Sequence, residues 1–262
     1  MRLFTIAAGL ALVGLRLAAS TVYLGTDRGQ FGTLNSLTGV FTEIKASGTG
    51  INGLAFDSLG NLDATDLGSA PNVGFYRVNV STGALVFVAN TTNISGNVAF
   101  TSSSVDGTLY LGDHVDLYTV NPTTAAATLL GPDHVPGHNP FNLGFGPDGI
   151  LYGAYSGTLY KFDLANGNGT PIGPYGPTLF ALFPADGILY GISNARNLYR
   201  IDTATGASTL LKPIIGPANG NILGAAVAPA TASPEPATGI LTAAAVALLA
   251  CRRRAGWGVR PK

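Results

Sequence analysis

The chain has 262 residues, of which only 11% are charged, with 36 Gly and 16 Pro; this excludes a coiled coil or an acidic disordered tail and suits short strands joined by tight turns. The formal net charge of zero averages unlike parts, because seven of the 14 basic residues lie at the two ends. Residues 21–233 carry seven basic against 13 acidic residues, a balance that excludes a nucleic acid partner, which needs clustered Lys and Arg.

The chain opens on MRLFTIAAGLALVGLRLAAS. Arg2 is a short positive region, Leu3 to Leu15 an apolar core, and Ala18-Ala19-Ser20 a small-residue cleavage zone. The pattern predicts an export signal peptide over 1–20.

A repeat follows. GILYGAYSGTLYKFDLANGNGTPIG (149–173) aligns with GILYGISNARNLYRIDTATGASTLL (187–211). The same pattern recurs at 107–131 and, degraded, at 60–88. Tyr76, Tyr118, Tyr160 and Tyr199 mark it at intervals of 42, 42 and 39 residues. Each unit is preceded by one more apolar stretch, at 51–57, 96–101, 141–146 and 178–184. Four strands in about 40 residues is the length of a propeller blade. The first unit, 21–44, supplies only three strands, and the missing inner strand reappears as NILGAAVAP (221–229). Pairing the last strand with the first three would close the ring and remove the free sheet edges. The expected fold is therefore all-β: a β-propeller of five four-stranded blades over 21–229. In its pattern the segment resembles the β-propeller repeat family, which fixes fold and not chemistry.

Meander connectivity sends the turns between second and third strands, and the connections between blades, to one face. That face is predicted to gather Asp27-Arg28, 67–73, Asp113-His114, Tyr155, Tyr175, Arg196 and the connector GPDHVPGHNP (131–140). All three histidines, His114, His134 and His138, fall there, with Asp113, Asp116 and Asp133 near them in sequence. Such residues hold a divalent metal if they converge, and they form a solvated polar rim if they do not. Gly144 to Gly149 fits GxGxxG, yet a strand follows where a dinucleotide site needs a helix, so it reads as a turn. The N-x-[ST] sequons at Asn79, Asn90, Asn93 and Asn168 read as polar turns. Hydrolase and lactonase propellers with six blades rely on inward carboxylates and a central calcium. Here the inner strands offer one acid, Asp57, at a strand end. No catalytic residue and no cofactor is expected; the alternative is a metal-dependent hydrolase or lyase using the histidine-bearing face.

The chain ends on SPEPATGILTAAAVALLACRRR (233–254) and eight further residues. The apolar run 237–251 contains the single cysteine, Cys251, so the body has no disulfide and no thiolate metal site. As a helix its 15 residues span about 22 Å, short of the ~30 Å hydrocarbon layer. The arginines after it would stay cytoplasmic. Pro234-Glu235-Pro236, the apolar run and Arg252-Arg253-Arg254, in that order, resemble the PEP-CTERM sorting signal of Gram-negative bacteria. The resemblance implies a linker (230–236), a short transmembrane helix (237–251) and a basic cytoplasmic tail (252–262). It also implies transient membrane anchoring, processing by an exosortase-type enzyme, and an exported product in the cell envelope, outer surface or matrix, associated with exopolysaccharide or biofilm. Polysaccharide or a surface protein is the expected ligand.

Overall fold

The computed structural model describes residues 20–229 except 47, 69–72, 93, 95–97, 114, 136–141 and 217–219. The stretch expected to be a signal peptide, up to residue 19, Pro234-Glu235-Pro236, the run 237–251 expected to form a short transmembrane helix, and Arg252 to Arg254 lie outside the described residues. The chain divides into a unit ending at Val227 and a second from Ala228, of which only 228 and 229 are described.

Among the described residues, twenty strands form five antiparallel sheets of four. Blade I holds β1 (Val22–Thr26), β2 (Gln30–Leu34) and β3 (Phe41–Ala46). Blade II holds β4 (Ile51–Phe56), β5 (Leu62–Asp66), β6 (Val73–Val78) and β7 (Leu85–Thr91). Blade III is β8 (Ala99–Ser102), β9 (Leu109–Gly112), β10 (Asp116–Val120) and β11 (Ala127–Pro132). Blade IV is β12 (Leu143–Phe145), β13 (Leu151–Tyr155), β14 (Thr158–Phe162) and β15 (Gly169–Pro174). Blade V is β16 (Leu179–Ala185), β17 (Ile188–Ser193), β18 (Asn197–Ile201) and β19 (Ser208–Pro213). The last strand, β20 (Ile222–Val227), completes blade I as its inner strand, with Val22 opposite Val227 and Thr26 opposite Ile222. The inner strands β20, β4, β8, β12 and β16 touch in sequence around a closed ring. The five-bladed propeller expected from the repeat is the fold, and its closure uses the segment that the split first unit required.

The core is divided by blade interface. Phe31, Leu54, Leu62 and Ala226 pack between blades I and II; Phe75, Phe100 and Leu111 between II and III. Tyr110, Phe145 and Leu151 fill the III–IV interface, Leu159, Leu182 and Leu189 the IV–V interface, and Val22, Leu24, Phe183 and Ile192 the V–I interface. The Leu-Tyr pairs of the repeat belong to these layers: Leu109, Leu151 and Leu189 are 1% exposed or less, and the tyrosines beside them 8% or less. Alternation along each strand thus sends both residues of the pair into blade-to-blade packing.

Two devices recur in every blade. An Asn or Asp ends the third strand, and its side chain accepts the N–H two residues on: Asn35 from Leu37, Asn79 from Ser81, Asn121 from Thr123, Asp163 from Ala165 and Asp202 from Ala204. The turn closes on a left-handed residue, which is glycine in four blades and Ala125, at φ 57°, in blade III. In the outer strand a bulge follows at a fixed register, at Ile44, Val88, Leu130, Ile172 and Leu211. The residue after the bulge meets the next blade's turn. Gly131 lies against Asn166 and Gly167, and Gly173 against Thr205 and Gly206, backbone to backbone. A methyl group at Gly173 would land on the Thr205 carbonyl oxygen. Gly173→Ala is therefore expected to lower stability by about 1–3 kcal/mol through overpacking at the IV–V seam, read as a lower midpoint in urea.

Candidate functional site

Short turns between second and third strands place a polar side chain of each of blades I to III on the loop face. Asp27, Asp66 and Asp113 stand there, Asp66 and Asp113 committed to their own turns and Asp27 to the entry of β20. Asp27 accepts from the backbone and side-chain N–H of Asn221, both at 2.9 Å, just before β20. Asp66 accepts from Gly68 and Gly74 N–H (2.8 and 2.9 Å) and from the Tyr76 hydroxyl (3.1 Å). Asp113 accepts from Val115 and Asp116 N–H, each at 3.0 Å, while its second oxygen accepts from the Tyr118 hydroxyl at 3.3 Å. Asp116 takes the same hydroxyl at 3.2 Å.

Asp133 is buried beyond β11, where it accepts from Val135 N–H at 3.0 Å. Tyr155 is 2% exposed, and burial first, then the nearby Asp133 and Asp113 carboxylates, hold its phenol far above the ordinary tyrosine range. It stays neutral and is no candidate base. Burial and then the Asp113 and Asp116 carboxylates push Tyr118 up in the same way. At the opposite end of blade IV, Tyr152, bonded to Asp148 at 2.7 Å, is pushed up to about 12, chiefly by burial. The Asp and Tyr residues of this face therefore form caps and buried pairs.

Of the three histidines, His134 sits in the 133–135 segment with φ 54°; His114 and His138 lie outside the described residues. Among the described residues no three of His, Cys, Asp and Glu converge as metal ligands. Gly146 to Gly149 closes a tight turn, with Gly146 N–H bonded to Ile150 O at 2.8 Å and Gly149 N–H to Gly146 O at 3.1 Å, as the following strand implied.

The site that sequence reasoning did not find is a cavity of about 340 Å³ on this face, where blades IV and V meet. It is built from the end of β13, the Ser156–Gly157 turn, the 175–178 connector and the entries to β12 and β16. Tyr175, in its wall, is 5% exposed, and its phenol oxygen accepts Gly157 N–H at 3.2 Å. Asn142, 3% exposed, also lines it and donates through Nδ2 to the Leu179 carbonyl across the two inner strands. Its Oδ1 is buried with no hydrogen-bond partner among the described residues. Asn52 makes the same kind of stitch from blade II to Val98 O, at 2.6 Å. A broader depression of about 510 Å³ lies on blade I, but it is bounded by Ser20, where the described residues begin.

A second feature missed in the sequence is buried in blade II. Asp63 occupies the slot that holds tyrosine in the other four blades, Tyr23, Tyr110, Tyr152 and Tyr190. It pairs with Arg77 Nε at 2.6 Å, and Arg77 Nη2 reaches Asp57 at 3.3 Å and the Pro122 carbonyl of blade III at 3.4 Å. Burial pushes the Asp63 carboxyl up to about 7 against the opposing pull of Arg77. Asp57, the single inner-strand acid, also accepts Leu59 and Asn61 N–H at 2.9 and 2.8 Å, so it is a structural cap.

No protein-family model matches the chain, and no curated protein matches it. Solved structures do. A chain of the nidogen/laminin complex is 14% identical with a TM-score of 0.55, the match covering 80% of this chain and 98% of that one. TolB from Acinetobacter baumannii is 16% identical at a TM-score of 0.46, over 74% of this chain and 53% of TolB. At such identity the first likeness supports the propeller fold and nothing finer.

Proposed function

We propose that this chain is an exported, non-catalytic surface or matrix propeller, delivered through a PEP-CTERM-type signal and presenting a rigid face to polysaccharide or protein. The observation that carries the reading is the tail itself: Pro234-Glu235-Pro236, a 15-residue apolar run and three arginines, in that order. The propeller's last strand ends at Val227, before the motif begins at Pro234. An exosortase-type enzyme removing residues beyond that point would take away no strand of the ring.

The binding role is supported by how the acids are used. Asp66 and Asp113 cap turns on the loop face, Asp27 clamps Asn221 at the entry of β20, and Asp57 caps a turn at the end of β4. A general acid or base needs a carboxyl within reach of a substrate proton, and these are held by backbone N–H groups instead. Deleting 234–262 in the producing cell tests the reading by fractionation and immunodetection. The expected result is loss of the protein from the envelope or matrix fraction while it still folds. An unchanged distribution would overturn the sorting role.

A further inference from the structure

We propose that the cavity between blades IV and V binds a short, neutral oligosaccharide. The inference rests on the polysaccharide-binding reading above and names the site and the ligand class for it.

The argument starts from what the lining lacks. Its described residues include no Asp, Glu, Lys, Arg or His. A charged ligand would lose its water there and gain no counter-charge, which is costly. A purely apolar ligand fails for the opposite reason: it would leave the Asn142 Oδ1 acceptor unpartnered, and buried acceptors without partners are rare. A ligand rich in hydroxyl groups and free of charge meets both conditions. Asn142 is fixed by its bond to Leu179 O, so its amide is already oriented and only the oxygen remains to be satisfied. Tyr175 contributes a donor: its oxygen accepts Gly157 N–H, and burial raises its pKa, so the phenol keeps its proton. Ser156 and Thr178 add exposed hydroxyl side chains, while half-buried Pro177 and Phe180 offer apolar surface for the C–H face of a sugar ring. About 340 Å³ lies at the small end of ligand cavities, which run from about 300 to 1,000 Å³. That size suits the end or a short stretch of a chain.

The test uses the purified full chain and saturation-transfer NMR with calorimetry against two panels: neutral gluco-, manno- and galacto-oligosaccharides, and uronic-acid oligosaccharides of the same lengths. At least one neutral member is expected to bind. Thr178→Trp, at an exposed position on the rim, should weaken that binding by roughly tenfold or more with the unfolding midpoint unchanged. Asn142→Ala should weaken it too, and Thr178→Trp keeps the test valid if that inner-strand variant does not fold. Binding by the uronic acids alone, no binding by either panel, or neutral binding untouched by Thr178→Trp would each overturn the site. The sorting reading is tested separately by localisation, so a chain that is correctly sorted yet binds no neutral glycan discards the cavity assignment alone.

Discussion

Arg77→Met is expected to destabilise the propeller by about 3–5 kcal/mol at pH 8, because it strands two buried carboxylates, Asp57 and Asp63, without their shared cation. Asp63 is fully buried, and its Oδ2 has no hydrogen-bond partner among the described residues, so the guanidinium is its main compensation. The pH dependence has a definite sign. Burial raises the Asp63 carboxyl in the folded chain from 3.8 to about 7, so folding favours its protonated form. Its contribution to stability is full below about pH 4 and is lost as pH rises through about 7. Removing Arg77 takes away the group that pulls this value down. The gap between variant and parent should therefore be widest in alkali and narrow towards pH 5. Urea titrations at pH 5 and pH 8 measure it; a gap independent of pH would show that Asp63 is not the group left exposed to the change. Replacing Asp63 by Asn in the Arg77→Met background should recover part of the loss at pH 8 and flatten its pH dependence.

The same pair shows where the sequence was legible. The repeat is visible because every blade solves the same packing problem with the same residues: leucine and tyrosine in the second strand, an Asx turn, then an outer-strand bulge. The split first unit made ring closure readable before any pairing was seen. Blade II departs from the pattern at GNLDATD, and Asp63 in place of tyrosine is the one sign that its interface is held by charge. That sign lay within the repeat, and so did its partner: Arg77 stands directly opposite Asp63 on β6, with Asp57 just after β4 of the same blade, while the Pro122 contact forms only when blade III is brought alongside.

The acids of the loop face illustrate the opposite difficulty. Asp113 and Asp133 stand beside histidines in the sequence, a pattern that suits metal ligands and turn caps alike. The choice depends on whether backbone N–H groups already hold the oxygens, as they do at Asp113. The neutral cavity had no signature at all. Asn142, Ser156, Tyr175 and Thr178 come from separate connections of two blades and share no spacing.

Loss of β20 is expected to have the largest effect of any change in the chain. This strand pairs with β1, touches β4 and β16, and so joins blades I, II and V. Ile222 and Ala226 are core residues of the two interfaces that flank blade I, and Asn221 is clamped to Asp27 by three hydrogen bonds. Without them the β1 edge and the buried Val22 and Leu24 would face water, leaving an unpaired apolar edge. The two interfaces beside blade I would open at once, which exceeds the marginal stability of a domain. By contrast, all twenty described strands lie before residue 229.

The central claim is that the propeller ring closes at β20 and folds independently of the residues after 229, and thermal unfolding of two truncations tests it most directly. A chain ending at Pro229 should keep a cooperative transition with the midpoint of the full-length protein, whereas one ending at Gly220 should show no cooperative transition. Equal melting of the two, or loss of folding in the Pro229 form, would contradict it.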